Sequence, residues 1–161
     1  MSAPDPQPQK PLPPTTPLPP GGYNDSADQA AEEWANANVA DTNNDHRERG
    51  AIILFDGVIY DVSQTFVGEE GTCWQEFVFN YLLYALACLN SNYTMEGFVH
   101  IHSAYPPNAT RSTWNTWDYG PSGADYFLFN LPGIKNQYIM NEKENFYQFF
   151  RGIPVDLDAI N

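Results

Sequence analysis

The sequence predicts an α/β domain in which helices pack on a mixed sheet containing at least one antiparallel hairpin. Three observations carry that reading. Two branched, apolar runs flank Asp56 and Gly57, a strongly apolar helix follows over residues 73–89, and short strand-like runs recur near residues 97, 125 and 137. An α+β arrangement, with helices segregated from the sheet, accommodates the same elements.

The first 22 residues hold nine of the fourteen prolines, in the tandems Pro11–Pro14 and Pro17–Pro20, and close on Gly21 and Gly22. Such a segment is extended, has no means of burying itself, and reads as a flexible arm. Residues 23–45 read as an acidic helix and a loop. Ser26 is placed to cap the helix with Gln29 three residues on, and the small face formed by Ala27, Ala30, Ala31 and Trp34 packs through Trp34 onto the domain or onto a partner. Residues 41–45, rich in Asp and Asn, read as the loop.

Residues 46–161 form the globular part, since only Tyr23 and Trp34 among the aromatics precede Phe55. Strands are expected over 51–55 and 58–62, joined at Asp56 and Gly57 by a two-residue turn of type I′. Gly68 to Gly71 reads as a loop, and Thr72 as the cap of a helix running to Leu89 that is apolar on most sides and expected to be buried. Residues 97–102 then read as a strand. The stretch 103–123 shows no period and holds Trp114 and Trp117; it either covers a pocket or packs on its own aromatics. Further strands are expected over 124–131 and 137–140, and a last helix over 142–151.

The chain carries 20 acidic and 7 basic residues, a net charge of −13. That balance repels phosphate backbones and anionic lipid, so protein partners with basic or apolar surfaces are expected rather than nucleic acid. No run of 18 apolar residues and no basic-then-apolar leader occurs, which predicts a soluble intracellular protein without a membrane span or signal peptide. Three glycosylation acceptor patterns, at Asn24, Asn92 and Asn108, matter only on a secretory route. Cys73 and Cys88 lack Cys-x-x-Cys spacing and are expected to be free thiols, and no cofactor motif is found.

Chemistry concentrates between the start of the apolar helix and the strand that follows it. Cys73, as the first helical residue, lies where the helix dipole favours a thiolate, and His100 on the next strand is a candidate base. His100 and His102, two residues apart, share one face of their strand, a spacing that also suits a metal, although no third ligand stands out.

Gly71 to Phe79 resembles the nucleophile segment of the pyroglutamyl peptidase I family of cysteine peptidases, and Gly97 to Ile101 is similar to the strand that ends in that family's catalytic histidine. The resemblance spans residues 68–102 and implies a doubly wound α/β fold and a thiolate activated by His100. It also departs from the family: Gln75 occupies the nucleophile position, an amide that cannot attack a carbonyl, and Cys73 falls two places early.

The expected function is a non-catalytic interaction or structural subunit, a degenerate peptidase-like fold docking through its arm at Pro11, Pro14, Pro17 and Pro20, through Trp34, and through its acidic surface. The alternatives are a cysteine-dependent hydrolase using Cys73 and His100, and a metal-binding protein using His100 and His102.

Overall fold

Ser26 caps the first helix, its hydroxyl accepting the Gln29 amide hydrogen at 3.1 Å. The computed structural model describes residues 15–16, 26–70, 73–89, 91–102, 131, 133–141, 144–150 and 153–156. Among these, the chain order is β1 (Thr15–Thr16), α1 (Ala27–Asp45), β2 (Arg47–Phe55), β3 (Tyr60–Ser63), β4 (Phe66–Glu70), α2 (Trp74–Cys88), β5 (Thr94–Ile101), β6 (Asn136–Met140), β7 (Phe146–Phe150) and β8 (Ile153–Asp156).

The strands form one mixed sheet in the order β1, β3, β2, β5, β6, β7, β8, with β4 sharing the β3 edge of β2. The expected mixed α/β architecture is present. Among the described residues its parallel pairing is confined to β5 with β6, and these residues do not form the doubly wound arrangement implied by the family resemblance.

Helix α1 covers one face of the sheet and α2 the other. Ala51, Ile53, Val99, Ile101, Tyr138 and Met140 join Ala31, Trp34 and Val39 in the first layer, while Ile52, Leu54 and Phe98 join Phe77, Tyr81 and Tyr84 in the second. Alternate residues of β2 and β5 therefore serve opposite layers, as the period of a strand buried on both faces requires.

Helix α1 runs to Asp45, through residues that read as a loop. Thr42 is fully buried, and His46 closes the helix in the left-handed region with its amide bonded to the Thr42 carbonyl at 2.8 Å. The Arg49 guanidinium donates to both Asp45 carboxylate oxygens at 2.8 and 2.7 Å, a tertiary clamp that overrides the local preference of Asn and Asp for turns. Trp34 is buried and donates to the Thr65 hydroxyl at 2.9 Å, so of its two expected destinations it takes the domain rather than a partner. Tyr138 donates from the sheet to Asp28 of α1 at 2.5 Å.

The hairpin is present but its loop is longer than predicted. Phe55 pairs with Tyr60, leaving four residues in the connection, because the Asp56 carboxylate accepts the amides of both Val58 and Ile59 and holds them out of the ladder. Gly57 supplies the positive φ of 102°. The predicted loop starting at Gly68 belongs instead to β4, paired with the first half of β2. The predicted last helix is β7. Asn141 makes the turn, its side chain accepting the Asn145 amide at 3.0 Å, and the aromatic run that follows suits a half-buried strand better than a helix.

Helix α2 lies where expected, but its outer side is not buried. Phe79, Leu82, Leu83, Leu86 and Leu89 are all exposed. Thr15 and Thr16, between the two proline tandems, pair antiparallel with Ser63 and Val62. The arm's prolines, the 103–123 stretch and, apart from Leu131, the strand expected over 124–131 lie outside the described residues.

The clamp on the end of α1 makes an acid-dependent prediction. Hydrogen bonds from Arg49 hold the Asp45 carboxyl well below the usual carboxylate range. Its contribution is complete above the unfolded pKa of about 3.9 and is lost as pH falls through the lower folded value. Asp45→Asn is expected to lower the melting temperature at pH 7, with the gap to wild type closing below about pH 4. A gap independent of pH would show that the clamp contributes nothing through charge.

Candidate functional site

The parity of β5 sends Val99 and Ile101 toward α1 and leaves Phe98, His100 and His102 on the α2 side. On β2, Gly50 pairs with His100. Arg49 turns toward α1, where it meets Asp45, so Glu48 points the other way and continuing the register sets it opposite His102. On β6, which runs parallel to β5, Ile139 pairs with His100. Tyr138 and Met140 belong to the α1 layer, so Gln137 and Asn141 flank Ile139 on the α2 side.

These placements gather polar side chains in an otherwise apolar layer. Glu48, His100, His102, Gln137 and Asn141 are each no more than 4% exposed. Burial of such groups is costly unless they are bonded to one another, to the chain or to a ligand. All but Gln137, the second residue of β6, lie toward the carboxyl ends of the parallel strands. His102 and Asn141 come immediately after β5 and β6, and the His102 amide donates to the Met140 carbonyl at 2.9 Å. In open α/β sheets, ligands bind at the carboxyl ends of parallel strands.

An aromatic stack fixes the ring of His100. Phe66 stacks on Phe98 with centroids 6.0 Å apart, Phe98 stacks on His100 at 5.1 Å with an interplanar angle of 10°, and His100 meets His102 at 4.9 Å and 57°. Gly50 leaves space for this stack, since a Cβ there would fall 2.5 Å from the Phe66 ring and 3.0 Å from that of Phe98. The Gln137 amide nitrogen meets no acceptor among the described residues.

Cys73 occupies a different position from the one expected. It is itself the N-cap of α2, its carbonyl accepting the Phe77 amide at 2.9 Å, and Trp74 is the first helical residue. Its side chain is 3% exposed, within the layer that contains Phe66, Phe77 and Phe98. Cysteines in apolar surroundings behave as small hydrophobes. Cys88 is also a free thiol, half-buried, and burial pushes its pKa up.

His100 and His102 do share a face, as their spacing predicted. Among the described residues, no three His, Cys, Asp or Glu side chains gather closely enough to hold a metal ion on their own. Glu48, Gln137 and Asn141 were not singled out by the sequence. Extending the alternation of Ile52 and Leu54 backward through Gly50 would have put Glu48 on the histidine face, but the charged run Arg47 to Arg49 disguised the start of the strand. Neither the protein-family models nor the curated proteins include a match to this chain.

Two measurements probe this geometry. Gly50→Ala is expected to destabilise the domain by about 1–3 kcal/mol in urea unfolding, through overpacking against the two rings; a change below a few tenths of a kcal/mol would mean that the stack is loose. With a thiol reagent under native conditions, Cys88 is expected to react first and Cys73 only on unfolding. The reverse order would mark Cys73 as an activated, accessible thiol.

Proposed function

We propose that this chain is a metal-dependent hydrolase, with His100 and His102 as two ligands of a divalent metal such as zinc and Glu48 as the base beside it. The observation that carries the reading is the joint burial of one carboxylate and a His-x-His pair on the same face, at the carboxyl ends of the parallel strands.

The ring geometry supports it. The two imidazole centroids lie 4.9 Å apart, close enough for both rings to reach one ion. The sequence between His102 and Leu131 carries two carboxylates, Asp118 and Asp125, and no histidine or cysteine, so a third ligand is sought there first.

A divalent metal held by His100 and His102 would supply Lewis-acid activation of a bound water. Glu48 would accept the proton as the water oxygen bonds to the substrate carbonyl carbon, and would return it to the leaving nitrogen as the carbon–nitrogen bond breaks. Amide bonds are the first substrate class to test. The cysteine-hydrolase reading needs an exposed thiolate instead, which a buried N-cap with apolar neighbours does not favour.

The test joins metal titration to turnover. Cobalt(II) added to the purified full-length chain should give the visible bands of a low-coordinate nitrogen- and oxygen-ligated ion, and His100→Ala or His102→Ala should weaken binding by at least about 100-fold. Glu48→Gln should retain the metal and lower hydrolysis of a quenched fluorescent peptide library by about 10²–10⁴-fold, while Cys73→Ala leaves turnover intact. Cobalt binding unchanged by both histidine substitutions would sink the reading. Turnover that depends on Cys73 and not on Glu48 would replace it with thiol chemistry.

A further inference from the structure

Phe98 stands between the aromatic core and the polar cluster. It is buried, and its ring meets Phe77 of α2 at a centroid distance of 3.6 Å, Phe66 of β4 at 6.0 Å and His100 at 5.1 Å. The Phe66, Phe98 and His100 rings are nearly parallel, each successive pair inclined by 10°. His100 is thus the last ring of a stack rooted in the core. We propose that Phe98 is a positioning residue of the candidate metal site, its aromatic face setting the plane of the His100 imidazole and so keeping that ring aligned with His102. This role rests on the metal-dependent reading above.

The backbone alone does not supply this alignment. Register places His100 and His102 on one face, but it fixes their Cβ atoms and not their ring planes. The torsion that turns an imidazole about its Cβ–Cγ bond is broad. Because the lone pair of a ring nitrogen lies in the ring plane, that torsion decides whether two histidines can serve one ligand. A parallel neighbour in contact with the ring face removes the freedom, and His100 is held with its plane at 57° to that of His102.

Charge favours an aromatic neighbour over an aliphatic one. An imidazole that ligates a divalent ion takes on part of its positive charge, and the face of a phenyl ring is electron-rich. Ligating imidazoles are ordinarily oriented by a hydrogen bond to the second ring nitrogen, and losing such a partner costs about 10–100-fold in affinity. Phe98 plays a comparable part from the face of the ring.

Gly50 belongs to the same device. It pairs with His100, and a Cβ there would fall 2.5 Å from the Phe66 ring and 3.0 Å from that of Phe98. Gly50→Ala therefore disturbs the stack from β2, without removing any aromatic ring.

Cobalt(II) titration of the full-length chain, read by visible absorption and paired with thermal melting of the metal-free chain, tests the role. Phe98→Leu should bind cobalt about 10-fold or more weakly and alter the intensity of the visible bands. Phe98→Tyr, which keeps the aromatic face, should stay within about threefold of wild type. Gly50→Ala should weaken binding in the same direction as Phe98→Leu. Leu54→Val, in the same layer but paired with Met95, should lower the melting temperature and leave cobalt affinity unchanged.

Wild-type affinity in Phe98→Leu overturns the proposal. A loss in Leu54→Val as large as that in Phe98→Leu also overturns it, because general loosening of the layer would then account for both. If Phe98→Leu does not fold, wild-type affinity in Gly50→Ala overturns it instead. His100→Ala separates the two levels: cobalt binding indifferent to that substitution ends the metal reading and the role of Phe98 with it, whereas binding that needs His100 but ignores Phe98 ends only the latter.

Discussion

Everything in this domain depends on the central pair of strands, β2 and β5, being buried on both faces. Ala51, Ile52, Ile53 and Leu54 are fully buried, as are Val99 and Ile101, so every side chain along the pair must enter either the α1 layer or the α2 layer. A slip of one residue would exchange the two sets and drive Arg49 and the histidines into the wrong packing. The clamp between Arg49 and Asp45, the bond from Tyr138 to Asp28 and that from Trp34 to Thr65 all act on one side, locking α1 onto the odd-numbered positions of β2. With that parity fixed, Glu48, His100 and His102 have only the other layer to occupy.

That second layer combines two environments. Beneath α2 it is an aromatic core, with Phe77 and Phe98 in direct ring contact and Phe66 packed against both. Toward the ends of β5 and β6 it becomes polar without becoming exposed. A low-dielectric wall beside ionisable groups strengthens whatever electrostatic interaction they make. The stacked Phe98 ring also restricts the imidazole of His100, so part of the positioning comes from packing rather than hydrogen bonds.

Local signals were legible where local physics decides the outcome. The Ser26 cap, the apolar period of α2, the strand holding His100 and the hairpin at Gly57 follow from propensity, spacing and turn chemistry. The misread elements are those set by tertiary partners. The last turns of α1 exist because Arg49 reaches back to Asp45, β4 because β2 extends far enough to pair with it, and β7 because Asn141 folds the chain back onto β6. The same distinction applies to the site. Two histidines at i and i+2 announce a shared face, but a glutamate from another strand joins them only through register, which no single-strand pattern contains. Cys73 shows the converse: helix-start spacing suggested reactivity, and burial determined its surroundings.

The short pairing of Thr15 and Thr16 with β3 has a kinetic side. Two residues of ladder are too few to hold an independent strand, yet only nine residues separate Thr16 from Ser26 at the start of α1. A tether of that length keeps the segment at an effective concentration of about millimolar beside its edge, so it re-forms after each opening faster than a dilute competitor arrives. The β3 edge is thus shielded against stray pairing by a fast, reversible cover, and the chain limits edge-to-edge aggregation without adding a permanent strand.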